Sequence, residues 1–236
     1  MKCLKKCGII IKTVILYSKE RNVIMNLTKV EITSKSNSKI KFDVVYGHFT
    51  TNQSHVNRYI DMNNIKNNFK MAKETAKQLA SSIYASMHVD AIICLESTRL
   101  VGAFLAEELS DGTRGINSGN DIYCITPENV NNQIILRDNH QKVVRDKNVL
   151  LLVSSVSSGK SVQQAANCLN YYGGNLAGVC AIFSAVDEIH GIKINSVFHA
   201  DDIPEYESYN PAKCPMCASG RKIDAIVNSF GYTQTN

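Results

Sequence analysis

Val149–Ser161 reads VLLLVSSVSSGKS, and the fold turns on how this stretch is interpreted. The unbroken run of Leu and Val predicts a strand buried on both faces, as in a parallel sheet. Val162, Ala166 and Leu169 follow at helical spacing, so the turn between them ends on a helix N-terminus. Ser157, Ser158, Gly159, Lys160 and Ser161 then gather backbone N–H groups, hydroxyls and one ammonium, the recipe for holding a phosphate. Two other interpretations fit the same residues. Ser and Gly also suit a plain turn and helix cap. Gly159-Lys160-Ser161 matches the end of a P-loop signature, whose first glycine would fall at Ser154.

Outward from this point, other apolar runs alternate with helical patterns. Val89–Leu95 predicts a second buried strand, and the turn Glu96-Ser97-Thr98-Arg99 leads into a helix from about Leu100 to Ser110. Ile65, Phe69, Ala72, Ala76, Leu79 and Ile83 make one apolar stripe, predicting a helix capped by Asp61 or Asn63. Residues 111–120 are a loop by composition. Ile122–Thr126, Gln133–Leu136, Leu176–Val186 and Ile194–Phe198 are further strand candidates, and Gly173-Gly174 ends the helix after the central strand. Strands alternating with helices predict an α/β fold with a mostly parallel sheet flanked by helices. Residues 26–60 read as irregular and polar apart from a short alternating strand candidate at Ile40–Tyr46, and a short helix is expected near Arg221–Ser229.

The 236 residues suffice for one large or two small domains, and 44% of them are hydrophobic. No run of about 18 apolar residues suggests a membrane span. Residues 1–24 carry six basic side chains against Glu20, which accounts for the whole formal charge of +5; the remaining 20 basic and 20 acidic residues cancel. The charge of the body therefore gives no support for nucleic-acid binding. Lys12 interrupts the apolar run of the tail and no small-residue cleavage site follows, so a signal peptide is not indicated. Met25 opens a segment with the look of an ordinary start, and residues 1–24 are expected to form a loose, disordered extension. Cys94, Cys168 and Cys180 lie within apolar patterns, which points to free thiols in a reducing cytoplasm.

These residues resemble the type I phosphoribosyltransferases, and within them the orotate phosphoribosyltransferases. The family motif, four apolar residues followed by Asp-Asp-Val-x-Thr-Thr-Gly-x-Ser/Thr, is matched by Leu150–Val153 and Ser154–Ser161. GHFTTNQSHVNRYID at 47–61 is similar to the family's amino-terminal substrate segment. AIICLESTRLVGAFLAEEL at 91–109 stands where its diphosphate-binding loop and helix fall. A group of Gram-positive bacterial proteins with the same family label also ends in a segment like Cys214-Pro215-Met216-Cys217.

The resemblance implies the type I phosphoribosyltransferase fold over residues 25–200, including an amino-terminal hood, with a small carboxy-terminal extension at 201–236. It implies transfer of a phosphoribosyl group from phosphoribosyl diphosphate to a nucleobase such as orotate, with Mg²⁺, in a homodimer. The 5-phosphate would lie on Ser157–Ser161, the ribose against Ser154 and Ser155, and the diphosphate on Glu96, Ser97, Thr98 and Arg99. Ser54 and His55 would face the base, while Arg137 and His140 are the candidates for catalytic groups.

The departures from the family are chemically specific. Ser154 and Ser155 stand where the enzymes have two acids that grip the ribose hydroxyls. A neutral hydroxyl is a poor Mg²⁺ ligand and cannot offset charge developing on the ribosyl centre. Losing one such aimed group typically costs about 3–4 kcal/mol, or ~10²–10³ in rate. Arg137-Asp138-Asn139-His140-Gln141-Lys142 keeps only the first cation of the family's catalytic loop. The alternative function is thus a non-catalytic binder of a phosphoribosyl ligand or 5-phosphorylated nucleotide, acting as a sensor or regulator. Cys214 and Cys217 form a single CxxC pair, with His199 the nearest further ligand in sequence. An unmetallated pair, a zinc site shared across a dimer and redox chemistry are the three options, and no metal is expected because only two donors are visible.

Overall fold

The computed structural model describes residues 10–16, 25–83, 85–111, 115–130 and 133–235. The chain opens with β1 (Ile10–Leu16), β2 (Met25–Thr33), β3 (Lys41–Thr50), β4 (His55–Asp61) and the short α1 (Asn63–Asn67). Its middle holds α2 (Phe69–Ser82), β5 (Ala91–Cys94), α3 (Arg99–Ser110), β6 (Tyr123–Ile125), β7 (Glu128–Val130), β8 (Gln133–Ile135) and α4 (Asp138–Val144). Then come β9 (Asn148–Val156), α5 (Lys160–Tyr171), β10 (Asn175–Ser184), β11 (Glu188–Ile189) and β12 (Ile192–His199). The last part holds β13 (Ser208–Tyr209), α6 (Pro215–Ala218), β14 (Ala225–Asn228) and β15 (Gly231–Gln234).

Two compact units result, Ile65–Ala200 and a second made from both chain ends, Met1–Asn64 with Asp201–Asn236. The expected division, a domain at 25–200 with an appended 201–236, is therefore corrected. The carboxy-terminal segment is woven into the amino-terminal sheet, because β13 pairs antiparallel with β4 and β14 pairs parallel with the end of β3.

In the Ile65–Ala200 unit, β9 lies at the middle of a six-stranded sheet of order β11-β12-β10-β9-β5-β6. β12, β10, β9, β5 and β6 are parallel and only β11 runs the other way, as the alternation of elements predicts. Leu150 to Val153 are fully buried because both faces of β9 are covered. Ile93, Leu151, Val153, Val179 and Ala181 share one core with Val162, Ala165 and Leu169 of α5. The opposite face takes α3, whose Gly102 lies so close that a Cβ there would meet Cys94 Sγ at 2.3 Å. Gly173 ends α5 region with φ of 78°, and the Gly174 N–H donates to Leu169 O at 3.0 Å, the left-handed cap expected.

The stripe from Ile65 to Ile83 forms two helices rather than one. Asn68 breaks it, accepting from the Lys70 and Met71 N–H groups at 3.1 and 3.2 Å, and Phe69 is left 59% exposed. Residues 115–120 are a loop held by Asn117, which is buried. Its Oδ1 accepts from Val89 N at 2.8 Å and its Nδ2 donates to Met87 O at 2.9 Å. Asn117→Ala would strand two backbone groups, so an urea melt should show a loss of about 1–3 kcal/mol. An unchanged midpoint and slope would show that water replaces the amide without cost.

The unit built from both ends carries a seven-stranded sheet with the path β1-β2-β3-β14-β15, and β4 and β13 on the other side of β3. The strand expected at Ile40–Tyr46 is present as β3, and the rest of residues 26–60, expected to be irregular, supplies β2 and β4; Val44, Val45, Phe49 and Val56 are buried on β3 and β4. Within the basic tail, Ile10–Leu16 is a strand paired with Met25–Glu31, which corrects the expectation of an unstructured extension for those residues. The β-branched run IIKTVIL suits a strand. Residues 1–9 and 17–24 lie outside the described residues. The helix expected near Arg221–Ser229 is instead the hairpin β14–β15. No helix among the described residues is long and apolar enough to cross a membrane.

Candidate functional site

From β5 the chain crosses through α3 to β6 on one side, whereas from β9 it crosses through α5 to β10 on the other. The carboxyl ends of β5 and β9 therefore flank a topological switch point, where open α/β sheets place their ligands. Both segments expected to hold phosphates, Glu96–Arg99 and Ser157–Ser161, start from these two strand ends.

The β9–α5 turn is short. Ser154 lies inside β9, so only residues 157–159 separate strand from helix, too few for the wrapping loop of a P-loop. Gly159 is the N-cap of α5 with φ of 78° and ψ of 0°, and no side chain caps the helix. The first N–H groups of α5 consequently have no partner within the helix and point outward with the positive end of its dipole. A Cβ at Gly159 would lie 2.3 Å from Ile189 Cδ1, so glycine is required both by the left-handed backbone and by the neighbour. Ser158 and Lys160 are exposed, and Ser157 and Ser161 half-buried, around that N-terminus.

The opposite turn has three distinct jobs. Glu96 and Ser97 adopt φ of 54° and 65°, which aims the Glu96 side chain at the end of β9. Its Oε2 accepts from the Ser154 hydroxyl at 2.5 Å and from the Ser154 and Ser155 N–H groups, both at 3.2 Å. Glu96 is thus a strand-end carboxylate bound to the two serines rather than a free contact for a diphosphate, whose charge it would oppose. Thr98 is fully buried, and its hydroxyl donates to Leu95 O at 2.7 Å or Leu152 O at 3.1 Å. That hydroxyl ties the turn to β9 and is not presented to a ligand. Arg99, exposed at the start of α3, is the member of this group open to an anion.

Ser154 and Ser155 differ in the same way. Ser154 is 3% exposed and held by Glu96, whereas Ser155 is half-buried and faces the other side of the strand. Sequence alone shows only two neutral hydroxyls at this place. The structure adds that Glu96, 58 residues earlier, sets a carboxylate beside them.

Arg137 and His140 are not brought to this site. Cys168 Sγ donates to Ile134 O at 3.2 Å, which seats the preceding strand on the far half of α5. Cys168 lies about 12 Å along α5 from Lys160 at 1.5 Å per residue, and Arg137 follows that strand. Its Nε and terminal nitrogen donate to Glu128 Oε1 and Oε2 at 3.0 and 2.6 Å. That bidentate bond holds the Glu128 carboxyl below its ordinary value, with the charges of Arg137 and His140 adding to it. The segment 138–144 is helix α4 rather than a loop, and Arg137 is spent on a surface pair.

Ser54 and His55 also differ from expectation. Ser54 is buried, with its hydroxyl 3.1 Å from Thr51 Oγ1 in the β3–β4 turn. His55 is buried against His48 and Cys217, with Nδ1 3.2 Å from His48 Nε2 and 3.3 Å from Cys217 Sγ. Four potential metal donors meet there, His48, His55, Cys214 and Cys217, so the premise that the CxxC pair has no further ligands does not hold. His199 is not among them; it sits 3.2 Å from Ser196 Oγ. Elsewhere Cys94, Cys124, Cys168 and Cys180 are free, and full burial pushes the Cys180 thiol up to about 12.

The chain is similar to two orotate phosphoribosyltransferases. That of Helicobacter pylori is 25% identical over 190 residues, covering 75% of this chain and 89% of that protein. That of Sulfurimonas denitrificans is 26% identical over 187 residues, covering 74% and 87%. Among solved structures, the Leishmania donovani UMP synthase matches 67% of the chain at 15% identity and a TM-score of 0.49, the chain spanning 34% of its length. Orotate phosphoribosyltransferase from Aeropyrum pernix matches 64% at 15% identity and 0.47, over 84% of that chain. No family model matches. The α/β architecture agrees with the type I phosphoribosyltransferase fold that the quoted motifs imply.

Proposed function

We propose that this chain, similar in sequence to orotate phosphoribosyltransferases, binds a ribose 5-phosphate group on the β9–α5 turn. The uncapped N-terminus of α5, opened by left-handed Gly159 at the switch point, carries this reading. The 5-phosphate would accept from the first N–H groups of α5 and the hydroxyls of Ser157, Ser158 and Ser161, with Lys160 as a nearby cation. The ribose would lie toward Ser155 and the Glu96 carboxylate, and Arg99 would meet the diphosphate. In the catalytic form of the reading, phosphoribosyl diphosphate gives its phosphoribosyl group to a pyrimidine base such as orotate and diphosphate leaves.

The donors at the end of β9 suit Mg²⁺ poorly. Glu96 Oε2 is already taken by three donors, and the serines add only neutral hydroxyls. Mg²⁺ would therefore arrive on the diphosphate oxygens, and the chain's own residues would hold the phosphate and orient the ribose. The replacement of both acids by Ser154 and Ser155 favours a second possibility, a binder of a phosphoribosyl ligand without turnover.

Calorimetry against phosphoribosyl diphosphate, ribose 5-phosphate, nucleoside monophosphates and ATP, with and without Mg²⁺, tests the binding. Ligands whose ribose ends in a 5-phosphate monoester should bind, and ATP, whose 5-phosphate carries two more phosphates, should not. Binding of ATP alone would overturn the assignment. Release of diphosphate on adding orotate separates the transferase from the silent binder.

A further inference from the structure

Two histidines on one hairpin and two cysteines some 160 residues later converge on one point within the unit built from the chain ends. His48 belongs to β3 and His55 opens β4, facing each other across the turn at residues 51–54. Cys214 is the N-cap of α6 and Cys217 lies one turn on, so the spacing sets both sulfurs on the same side. His48, His55 and Cys214 are 0%, 8% and 3% exposed, and Cys217 closes the cluster from the solvent side.

Four of the six separations among these atoms are close to those of a tetrahedron. A zinc ion bound at about 2.3 Å to sulfur and 2.0–2.1 Å to nitrogen requires ligand atoms about 3.3–3.8 Å apart. His48 Nε2 and His55 Nδ1 are 3.2 Å apart, and His55 Nδ1 to Cys217 Sγ is 3.3 Å. His48 Nε2 is 3.6 Å from each of Cys214 Sγ and Cys217 Sγ. All four donor atoms lie within 4.8 Å of one another.

The protonation of His48 is set by its outer neighbours. Its Nδ1 lies 2.9 Å from Arg221 O and 3.1 Å from Lys222 O. A carbonyl can only accept, so Nδ1 carries the hydrogen and Nε2 turns a lone pair into the cluster. That outer hydrogen bond is the usual support of a metal-bound imidazole. One lone pair can accept one hydrogen, whereas three other donor atoms crowd around it. A single cation at the centre satisfies all four at once.

We propose that His48 Nε2, His55 Nδ1, Cys214 and Cys217 form a closed structural zinc site. Two thiolates and two imidazoles favour zinc over harder cations. Four protein ligands leave no open position, so the ion does no chemistry on a substrate. Its work is to fasten the carboxy-terminal segment to the β3–β4 hairpin, beside the exchange in which His48 N donates to Asp224 Oδ2 and Asp224 N to His48 O, both at 2.7 Å. Among the described residues, one cluster there joins Val45, Phe49, Val56 and Tyr59 to Ala225 and Val227, and an ion held beside it would add a staple between the same two segments. The site is independent of the phosphate turn, so its test does not depend on ligand binding.

The full chain, purified under a phosphine reductant from zinc-supplemented cells, should carry about one zinc per chain by elemental analysis. Cobalt(II) exchanged into it should show the visible bands of a tetrahedral thiolate site. Cys217→Ser, at an exposed position, should lose both signals while keeping its circular dichroism, and Cys168→Ser should keep them. Stripping zinc from the unsubstituted protein with a mercurial should speed hydrogen exchange in peptides from 41–61 and 208–234. Zinc absent from the reduced protein, with no cobalt bands, would overturn the site. Zinc retained by Cys217→Ser, or about half an ion per chain as in a site shared by two copies, would overturn this ligand set.

Discussion

Gly159→Val should abolish binding of ribose 5-phosphate by this protein, weakening it by about 100-fold or more, the worth of two hydrogen bonds to a charged phosphate. Two causes act together. Gly159 holds φ of 78°, a region costing a β-branched residue about 1–3 kcal/mol. Its added carbon atoms would also meet Ile189, where even a Cβ comes within 2.3 Å. The turn can relieve both only by moving, which takes the first N–H groups of α5 away from the phosphate. Calorimetry on the variant measures this, with an urea melt to establish that the sheet remains folded. The pair Gly159→Ala with Ile189→Ala removes the collision but not the backbone strain, and should recover part of the affinity. Equal binding by the Val variant and the unsubstituted protein would sink the phosphate cradle.

Ser154→Asp should make the fold depend on pH and Mg²⁺ in a way the unsubstituted protein does not. The Ser154 hydroxyl donates to Glu96 Oε2 at 2.5 Å, and a carboxylate there would face another carboxylate. Two like charges about 4 Å apart repel by about 4 kcal/mol at an effective dielectric of 20. One of the pair would then keep its proton to higher pH when folded than when unfolded. The folded state holds a proton that the unfolded chain has released, so stability falls as pH rises from the ordinary carboxylate range through the raised value. Melting temperatures across pH should therefore decline for the variant and stay flatter for Ser154→Asp with Glu96→Gln. Mg²⁺ bridging the two carboxylates should restore the loss, and adding Ser155→Asp should raise orotate-dependent release of diphosphate in its presence. A flat pH profile would show that Glu96 does not sit on the serines. Strong Mg²⁺-dependent turnover of orotate by the unsubstituted protein would show that the serines already suffice.

Local pattern alone determined the central strand, turn and helix. Leu150–Val153 can be buried on both faces only in a covered sheet, and Gly159 between a strand and a helix leaves few backbone options. The alternation of elements likewise determined the parallel sheet around β9. Features set by pairing across distance were not legible. Strands β2 and β4 carry polar residues on their outer faces and read as loop until a sheet gives them partners, whereas the alternation at Ile40–Tyr46 already pointed to β3. Arg221–Ser229 reads as a helix but forms a hairpin, because Phe49 and Thr50 of β3 offer Ala225 and Ile226 an edge to pair with.

The sites divide along the same line. That Ser157–Ser161 would form an anion-binding turn follows from the chain itself, since adjacent residues make it. That Thr98 turns inward, or that Glu96 reaches Ser154 across 58 residues, follows only from the register of β5 against β9. His48 lies 166 residues from Cys214, and no spacing rule joins a histidine hairpin to so distant a CxxC pair. The sheet register brings them together, because β14 runs beside the end of β3 and carries the preceding segment back to that hairpin. Spacing along the chain encodes which neighbours share a face, while the closure of long loops decides which distant donors meet.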